Sequence, residues 1–332
     1  MNLTNPAIKR TDTAQTDERY TKLRHMSIVP ALTVPVGKQS GRYKNPKRIL
    51  IVLAFIAPVL APLLLFWIFP TFSAGYISLT DWDYMTPAYS MTGAANYTKL
   101  LTSSEFAQAL KNTLVFCFSS AVLTVGGGLA LASLLRRAFA GNGFFKALFF
   151  SPWITPTVAV SLVWMWIFDP QSGAANAVLK FLHLPALQWI GSSQTAMLAV
   201  VIVTVWKSVG YAMIFYINAL DRVPKTLYEA SSLDCASPWK KFTKITLPCI
   251  SPTTFFLCVI SVINGIQAYD QIQILTQGGP SGSTRTLLYL YYQLGFEQFD
   301  MGRASALAVV LLIITVALSC AQNLIAKRFV HY

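Results

Sequence analysis

Six long apolar runs, near 49–72, 110–135, 144–168, 194–220, 250–275 and 302–326, leave this 332-residue chain little choice of solvent. A helix crosses the hydrocarbon layer in about 20 mostly apolar residues, and each run is long enough. With 54% hydrophobic and only 12% charged residues, the composition departs from that of soluble domains, in which charged residues make up about 25%. The expected fold class is an all-α integral membrane protein with six transmembrane helices. Pro58, Pro62, Pro152, Pro156 and the triplet Gly126-Gly127-Gly128 do not argue against it, because membrane helices keep such residues where neighbours satisfy the freed backbone groups.

Charge sets the expected orientation. Of the 26 Lys and Arg, ten precede the first run, and Arg136, Arg137, Lys146, Arg222, Lys225, Lys240, Lys241, Lys244, Lys327 and Arg328 fall on the same face. Lys99, Lys111, Lys180, Arg285 and Arg303 are left for the other face, while Lys207 lies inside a run. Positive charge collects on the cytoplasmic side, so both termini are expected there. The net charge of +13 then reflects topology and contact with anionic membrane lipid, and gives no reason to invoke nucleic acid. Residues 1–48 form a polar, basic tail interrupted by Pro30, Pro35 and Pro46. It lacks a signal peptide's arrangement and reads as a retained, flexible cytoplasmic tail ahead of a 49–332 membrane domain. A targeting or regulatory role is the alternative to a merely solvated tail.

Several chemistries find no support. Cys117, Cys235, Cys249, Cys258 and Cys320 contain no C-x-x-C pair, and His25, His183 and His331 are scattered, so neither a metal site nor a catalytic triad is expected. Gly126-Gly127-Gly128 sits in an apolar run with no Gly-Lys-Ser or Gly-Lys-Thr after it, and close helix packing explains it better than phosphate binding. If ATP drives this protein, other subunits bind it with its magnesium.

The segment 221–248 interrupts the apolar pattern with a polar, basic island. Pro224 suits the first turn of a short helix through Tyr228, Glu229 and Ala230 to about Asp234. Ser237 reads as the N-cap of a second helix, with Pro238 at its first position and Trp239, Phe242 and Ile245 on one face. The lysines alone are equally explained by an amphipathic loop resting on lipid headgroups. Glu229, Asp234 and a rigid turn before Pro248 are not.

Glu229-Ala230-Ser231, Asp234-Cys235-Ala236 and Leu247-Pro248 resemble the EAA loop of binding-protein-dependent ABC importer permeases. The resemblance implies that this loop is a coupling helix seated on an ATPase subunit, with Glu229, Ala230, Asp234, Ala236 and Pro248 in the coupling role. One departure stands out: Cys235 occupies a position where the family usually has Gly; if that position needs positive φ, a side chain there costs about 1–2 kcal/mol, so either the turn is relaxed here or the loop accepts some strain. Thr276-Gln277-Gly278-Gly279-Pro280, Trp164-Met165-Trp166-Ile167-Phe168-Asp169-Pro170 and Trp206-Lys207 through Gly210 are similar to carbohydrate-type members of that family. Gly278 and Gly279 permit a tight turn and Pro280 fixes its exit, so a structural turn is favoured there over direct substrate contact.

Polar side chains within a membrane span face a partner helix or a water-filled path. Lys207 and Tyr211 lie one turn apart, about 20 Å from the helix end near Leu220 at about 1.5 Å per residue, and Asn264, Gln267 and Asp270 are expected on one face of the fifth span. Together they are the candidate translocation path. A Lys207–Asp270 ion pair, or interhelical hydrogen bonds that hold the bundle together, is the structural alternative, and the resemblance favours a structural role for those two residues. Tyr211, Asn264 and Gln267 suit sugar hydroxyls, which want amide and phenol partners beside aromatic faces.

The resemblance implies half of a pore in a prokaryotic cytoplasmic membrane, completed by a second homologous permease. Two cytoplasmic ATPase subunits and an extracytoplasmic substrate-binding protein are the other expected partners. Carbohydrate is the expected cargo, with glycerol-phosphate-type polyol phosphates next, and no enzymatic step or bound cofactor is expected of this chain. A self-sufficient secondary transporter or channel would instead need an internal repeat and mid-membrane carboxylates beyond Asp270. A membrane enzyme would need clustered catalytic groups, which the sequence does not offer.

Overall fold

The computed structural model describes residues 46–136 and 140–329, so the expectations for the tail through residue 45, and Arg137 and His331, lie outside the described residues. The chain divides after Leu65 into two units. The first ends in helix α1 (Pro46–Leu63), which carries Pro58 and Pro62 without interruption. A π-helical turn, Leu64–Ile68, follows. The second unit continues with α2 (Phe69–Ile77), α3 (Ala95–Leu101), α4 (Ser104–Leu135), α5 (Asn142–Ile154), α6 (Thr157–Ile167), α7 (Ala174–Phe181) and α8 (Ala196–Asp221). After these come α9 (Lys225–Leu233), α10 (Pro238–Lys241), α11 (Leu247–Cys249), α12 (Ser251–Ile266), α13 (Asp270–Leu275), α14 (Leu287–Tyr292) and α15 (Met301–Phe329). Among the described residues β pairing is confined to one isolated bridge, Thr80 to Met91.

Leu50–Ile77, Ser104–Leu135, Ala196–Asp221 and Met301–Lys327 are each long and apolar enough to cross a membrane, close to four of the six expected spans. The third and fifth spans are bent rather than continuous. Helices α5 and α6 meet at 104°. Thr155 precedes Pro156, whose ring excludes the preceding residue from helical geometry, and Thr155 accordingly adopts φ −72°, ψ 137°. The helical run Pro238–Cys249 meets α12 at 66°, with Ile250 at φ −93°, ψ 2° between Pro248 and Pro252. Helix α12 then stops at Ile266 instead of running to 275, and Gln267, Ala268 and Tyr269 link it to α13. The expected single helical face for Asn264, Gln267 and Asp270 is therefore not formed.

Helix α8 is the central element. Its small residues admit neighbouring backbones directly: a Cβ on Gly210 would lie 1.8 Å from the Phe149 carbonyl oxygen of α5, and one on Gly128 of α4 would lie 2.5 Å from the Ala212 Cβ. The glycine triplet thus serves helix packing, as its setting in an apolar run suggested, with Gly127 against Val209. Helices α4 and α8 run parallel, since Gly128 meets Ala212 and, two turns on, Arg136 pairs with Asp221 at 2.9 Å. Helix α12 runs antiparallel to both: the Tyr216 hydroxyl donates to Thr254 Oγ1 at 3.0 Å, and Gly265 abuts Cys117. One buried cluster, including Met213, Tyr216 and Ile250, fills the Arg136–Asp221 end. A second, including Phe116, Phe168 and Tyr289, fills the opposite end.

Polar caps tie the opposite end down. The Asn176 side chain donates to the Pro170 and Leu187 carbonyls, each at 2.9 Å, and accepts from Trp189 Nε1 at 2.8 Å. Asn96 Nδ2 donates to the Ser78 and Thr80 carbonyls at 2.9 and 2.7 Å, where Gly302 at the start of α15 leaves room.

The α8 contacts give a sharp expectation. Gly210→Ala should destabilise the detergent-purified chain by about 1–3 kcal/mol, seen as a lowered thermal midpoint, because the added methyl cannot coexist with the Phe149 carbonyl. Gly126→Ala, which faces open space, should leave the midpoint unchanged.

Candidate translocation cavity and coupling loop

Between α4, the α5–α6 bend, α8, α12 and the start of α13 lies a cavity of about 390 Å³. All five expected path residues line it: Lys207, Tyr211, Asn264, Gln267 and Asp270. The break after Ile266 brings this about in a way that a continuous helix does not, because Gln267 caps α12 while Asp270 opens α13. The Tyr211 and Trp153 rings stack in its wall with centroids 4.4 Å apart.

Lys207 does not pair with Asp270. Its ammonium donates to the carbonyls of Thr155, Trp153 and Pro152 at 2.6, 3.2 and 3.3 Å. The Thr155 and Trp153 carbonyls lie where α5 ends at the bend, and the Pro152 carbonyl also accepts from the Thr155 N–H at 3.3 Å, so the lysine caps that helix and steadies the bend. The ion pairs among the described residues are Arg136–Asp221, Arg285–Glu105 and Arg303–Asp300, and Asp270 is in none of them.

Polar residues that the sequence reading passed over also face the cavity, among them Thr204, Ser208, Ser261 and Gln271. A signal for most of them was present. Thr204, Lys207, Ser208 and Tyr211 follow the spacing of one helical face within an apolar run, and Ser261 with Asn264 repeats it on α12. Trp153 carried no such signal, because the bend at Pro156 is what turns it inward.

The island 221–248 folds as a helical hairpin. Pro224 stands just before α9 rather than inside it, and Asp234 caps the C-terminus. Ser237 is the N-cap of α10, its Oγ accepting from the Lys240 N–H at 3.3 Å, with Pro238 next. A π-helical turn, Phe242–Thr246, then rotates the chain, so that Trp239 stays 73% exposed while Ile245 joins the core. The hairpin is fastened by Tyr228 to Thr246 at 2.8 Å and by Lys241 Nζ to Ser232 Oγ at 2.7 Å. Glu229, Ala230 and Asp234 are exposed, as are the apolar side chains of Leu227 and Leu233; Ala236 and Pro248 are half-buried.

Cys235 is left-handed, with φ 49°. Its N–H donates to the Ser232 carbonyl at 3.1 Å and the Ala236 N–H to the Ser231 carbonyl at 3.0 Å. This is the Schellman pattern that ends a helix, and its left-handed position is the one that glycine fills without penalty. The turn is kept, and the cysteine accepts the strain.

At the opposite end of the bundle the Gly-Gly-Pro segment also folds as a turn. Gly278 has φ 74°, and a Cβ there would lie 2.5 Å from the Tyr289 ring. Thr284 Oγ1 donates to the Gly279 carbonyl at 2.9 Å, while Asn112 Nδ2 donates to the Gly282 and Arg285 carbonyls at 2.8 and 3.0 Å. The segment is thereby fixed to the start of α4. No group of three or more His, Cys, Asp or Glu suited to a metal occurs among the described residues.

Comparison with known proteins places these features. The family described as binding-protein-dependent transport system inner membrane component matches residues 123–331. A probable ABC transporter permease protein of Bacillus subtilis is 35% identical over 81% of this chain and 93% of its own length. A trehalose/maltose transport system permease protein of Thermococcus litoralis is 31% identical over 79% of this chain and 88% of its own length. An sn-glycerol-3-phosphate transport system permease protein of Agrobacterium fabrum is 30% identical over 86% and 98%. Among solved structures, a chain of a bacterial alginate ABC transporter, crystallised with an alginate pentasaccharide-bound periplasmic protein, shares the fold. It superposes with a TM-score of 0.73 at 22% identity, over 85% of this chain and 96% of that one.

Relieving the strain at residue 235 should be measurable. Cys235→Gly is expected to stabilise the α9 turn by about 1 kcal/mol, and Cys235→Val to weaken it. Hydrogen exchange at the Ala236 amide is the readout, slower in the glycine variant and faster in the valine variant.

Proposed function

This chain belongs to the binding-protein-dependent transport system inner membrane component family, a multi-pass ABC transporter permease, and on that premise we propose the division of labour within it. The chain supplies half of a translocation path and breaks no bond in its cargo. A second homologous permease supplies the other half, two ATPase subunits hydrolyse ATP, and a binding protein delivers cargo on the opposite side of the prokaryotic cytoplasmic membrane. Both termini and the 221–248 hairpin face the cytoplasm, in keeping with the surplus of Lys and Arg on that side.

The observation that carries the coupling assignment is the hairpin's exposed face. Glu229 makes no ion pair or side-chain hydrogen bond among the described residues, and Leu233 and Trp239 are 86% and 73% exposed beside it. A rigid hairpin that holds large apolar side chains and a free carboxylate outward has the make-up of an interface core. The ATPase subunits are its partner. Tyr228, Ile245 and Leu247 pack against the buried cluster that includes Ala132 of α4, Tyr216 of α8 and Leu257 of α12, and so connect that surface to the walls of the cavity.

Cargo passes the cavity that holds Tyr211, Asn264 and Gln267. Carbohydrate is the reading favoured for it, because neutral amides and hydroxyls surround a stacked aromatic pair. Polyol phosphate is the second reading, supported by the likeness to glycerol-phosphate permeases.

Purified alone and reconstituted in liposomes, the chain should neither transport nor hydrolyse ATP; robust uptake by it alone would overturn the reading. Co-purified with its partners, it should show ATPase activity stimulated by the cognate sugar in a panel of saccharides and polyol phosphates. Glu229→Ala should reduce that stimulation by about tenfold while leaving assembly of the bundle intact, a loss of about 1.4 kcal/mol of coupling. Coupling at the wild-type level would remove Glu229 from the interface.

A further inference from the structure

The cavity's two charged side chains are not equivalent. The Lys207 ammonium has three N–H donors, and three backbone carbonyls stand within 2.6–3.3 Å of its nitrogen. An anion that bound the lysine would have to take donors from these carbonyls, leaving the end of α5 uncapped at the bend. Asp270 is exposed in the same cavity, and among the described residues its carboxylate makes neither an ion pair nor a hydrogen bond. The lysine's donors are committed to the backbone, while its charge still acts on Asp270, and the carboxylate's acceptor sites are open to the cargo.

We propose that this cavity selects uncharged polyol cargo and turns away anionic cargo, with Asp270 as the specificity-determining residue. The inference rests on the reading of the cavity as part of the cargo path. A carboxylate accepts hydrogen bonds only, and sugar hydroxyls bring the donors that it lacks. The amides of Asn264 and Gln267, which hold no side-chain hydrogen bonds among the described residues, provide both donors and acceptors beside it. The Trp153–Tyr211 stack offers an apolar surface for the C–H face of a sugar ring. A phosphate or uronate presents acceptors to an acceptor.

The test uses the complete transporter in nanodiscs with the binding protein left out, so that selection at delivery does not mask selection in the cavity. Binding of radiolabelled trehalose, maltose and glycerol 3-phosphate is compared. The wild-type transporter should bind at least one of the disaccharides about tenfold more tightly than glycerol 3-phosphate, a difference of about 1.4 kcal/mol. Asp270→Asn should bring the two affinities within about threefold of one another, and Asp270→Glu should restore the discrimination. Equal affinities in the wild type, or discrimination unchanged in Asp270→Asn, would overturn the charge selection while leaving the cavity as a cargo site. Failure of all three ligands to bind would overturn the cavity's role in the path and this inference with it.

Discussion

The close approach of α8 to α4 and α5, made possible by glycine, is the contact on which the rest of the bundle depends. At Gly210 the α5 backbone occupies the space that any side chain would need, and at Gly128 the α4 backbone does the same against Ala212. In lipid, helices gain little by burying apolar surface against one another, and packing distance and interhelical hydrogen bonds decide their association. Once the backbones are this close, Lys207, one turn before Gly210, reaches the carbonyls that α5 exposes at the Pro156 bend. The bend in turn places Trp153 against Tyr211. The cavity is thus a consequence of helix packing.

Two places keep features that a purely structural design would remove. The cavity retains the amides of Asn264 and Gln267 and the Asp270 carboxylate without internal partners, although polar groups at membrane depth are expensive. The hairpin keeps Cys235 at φ 49° and leaves Leu233 and Trp239 largely exposed. Each is an exception to a local rule of stability. Helix α8 joins the two places, passing from the cavity at its middle, where Lys207 and Tyr211 stand, to the Arg136–Asp221 pair at the end that leads into the hairpin.

Much of the fold was legible because the apolar runs are long and turn signals are explicit. Ser237 and Pro238 start α10 where their chemistry dictates, while the left-handed turn at Cys235 is legible only through the resemblance, which puts glycine at that position. The cavity-lining residues Lys207, Tyr211, Asn264, Gln267 and Asp270 are legible as polar interruptions in the apolar pattern. What was missed has a common cause. Prolines in spans were judged tolerable as a class, yet Pro58 and Pro62 leave α1 unbroken whereas Pro156 sets a 104° bend. Which outcome applies depends on the neighbours that satisfy the freed carbonyls, and for α5 that neighbour is Lys207, distant in sequence. The link at Gln267–Tyr269 contains neither glycine nor proline, so the end of α12 at Ile266 left no local mark. The Lys207–Asp270 pair, one of the structural roles that the family resemblance favoured, does not form for the same reason: the backbone carbonyls claim the lysine.

Water access to the cavity during the transport cycle tests the central claim most directly. With the five native cysteines replaced, Ser261→Cys places a single thiol on the α12 wall of the cavity. In the assembled transporter, a membrane-impermeant maleimide should label that thiol from one side of the membrane in the nucleotide-free state and from the other side in the ATP-trapped state. A thiol that is labelled from the same side in both states, or that reacts only with lipid-soluble reagents, would contradict a translocation path through this cavity.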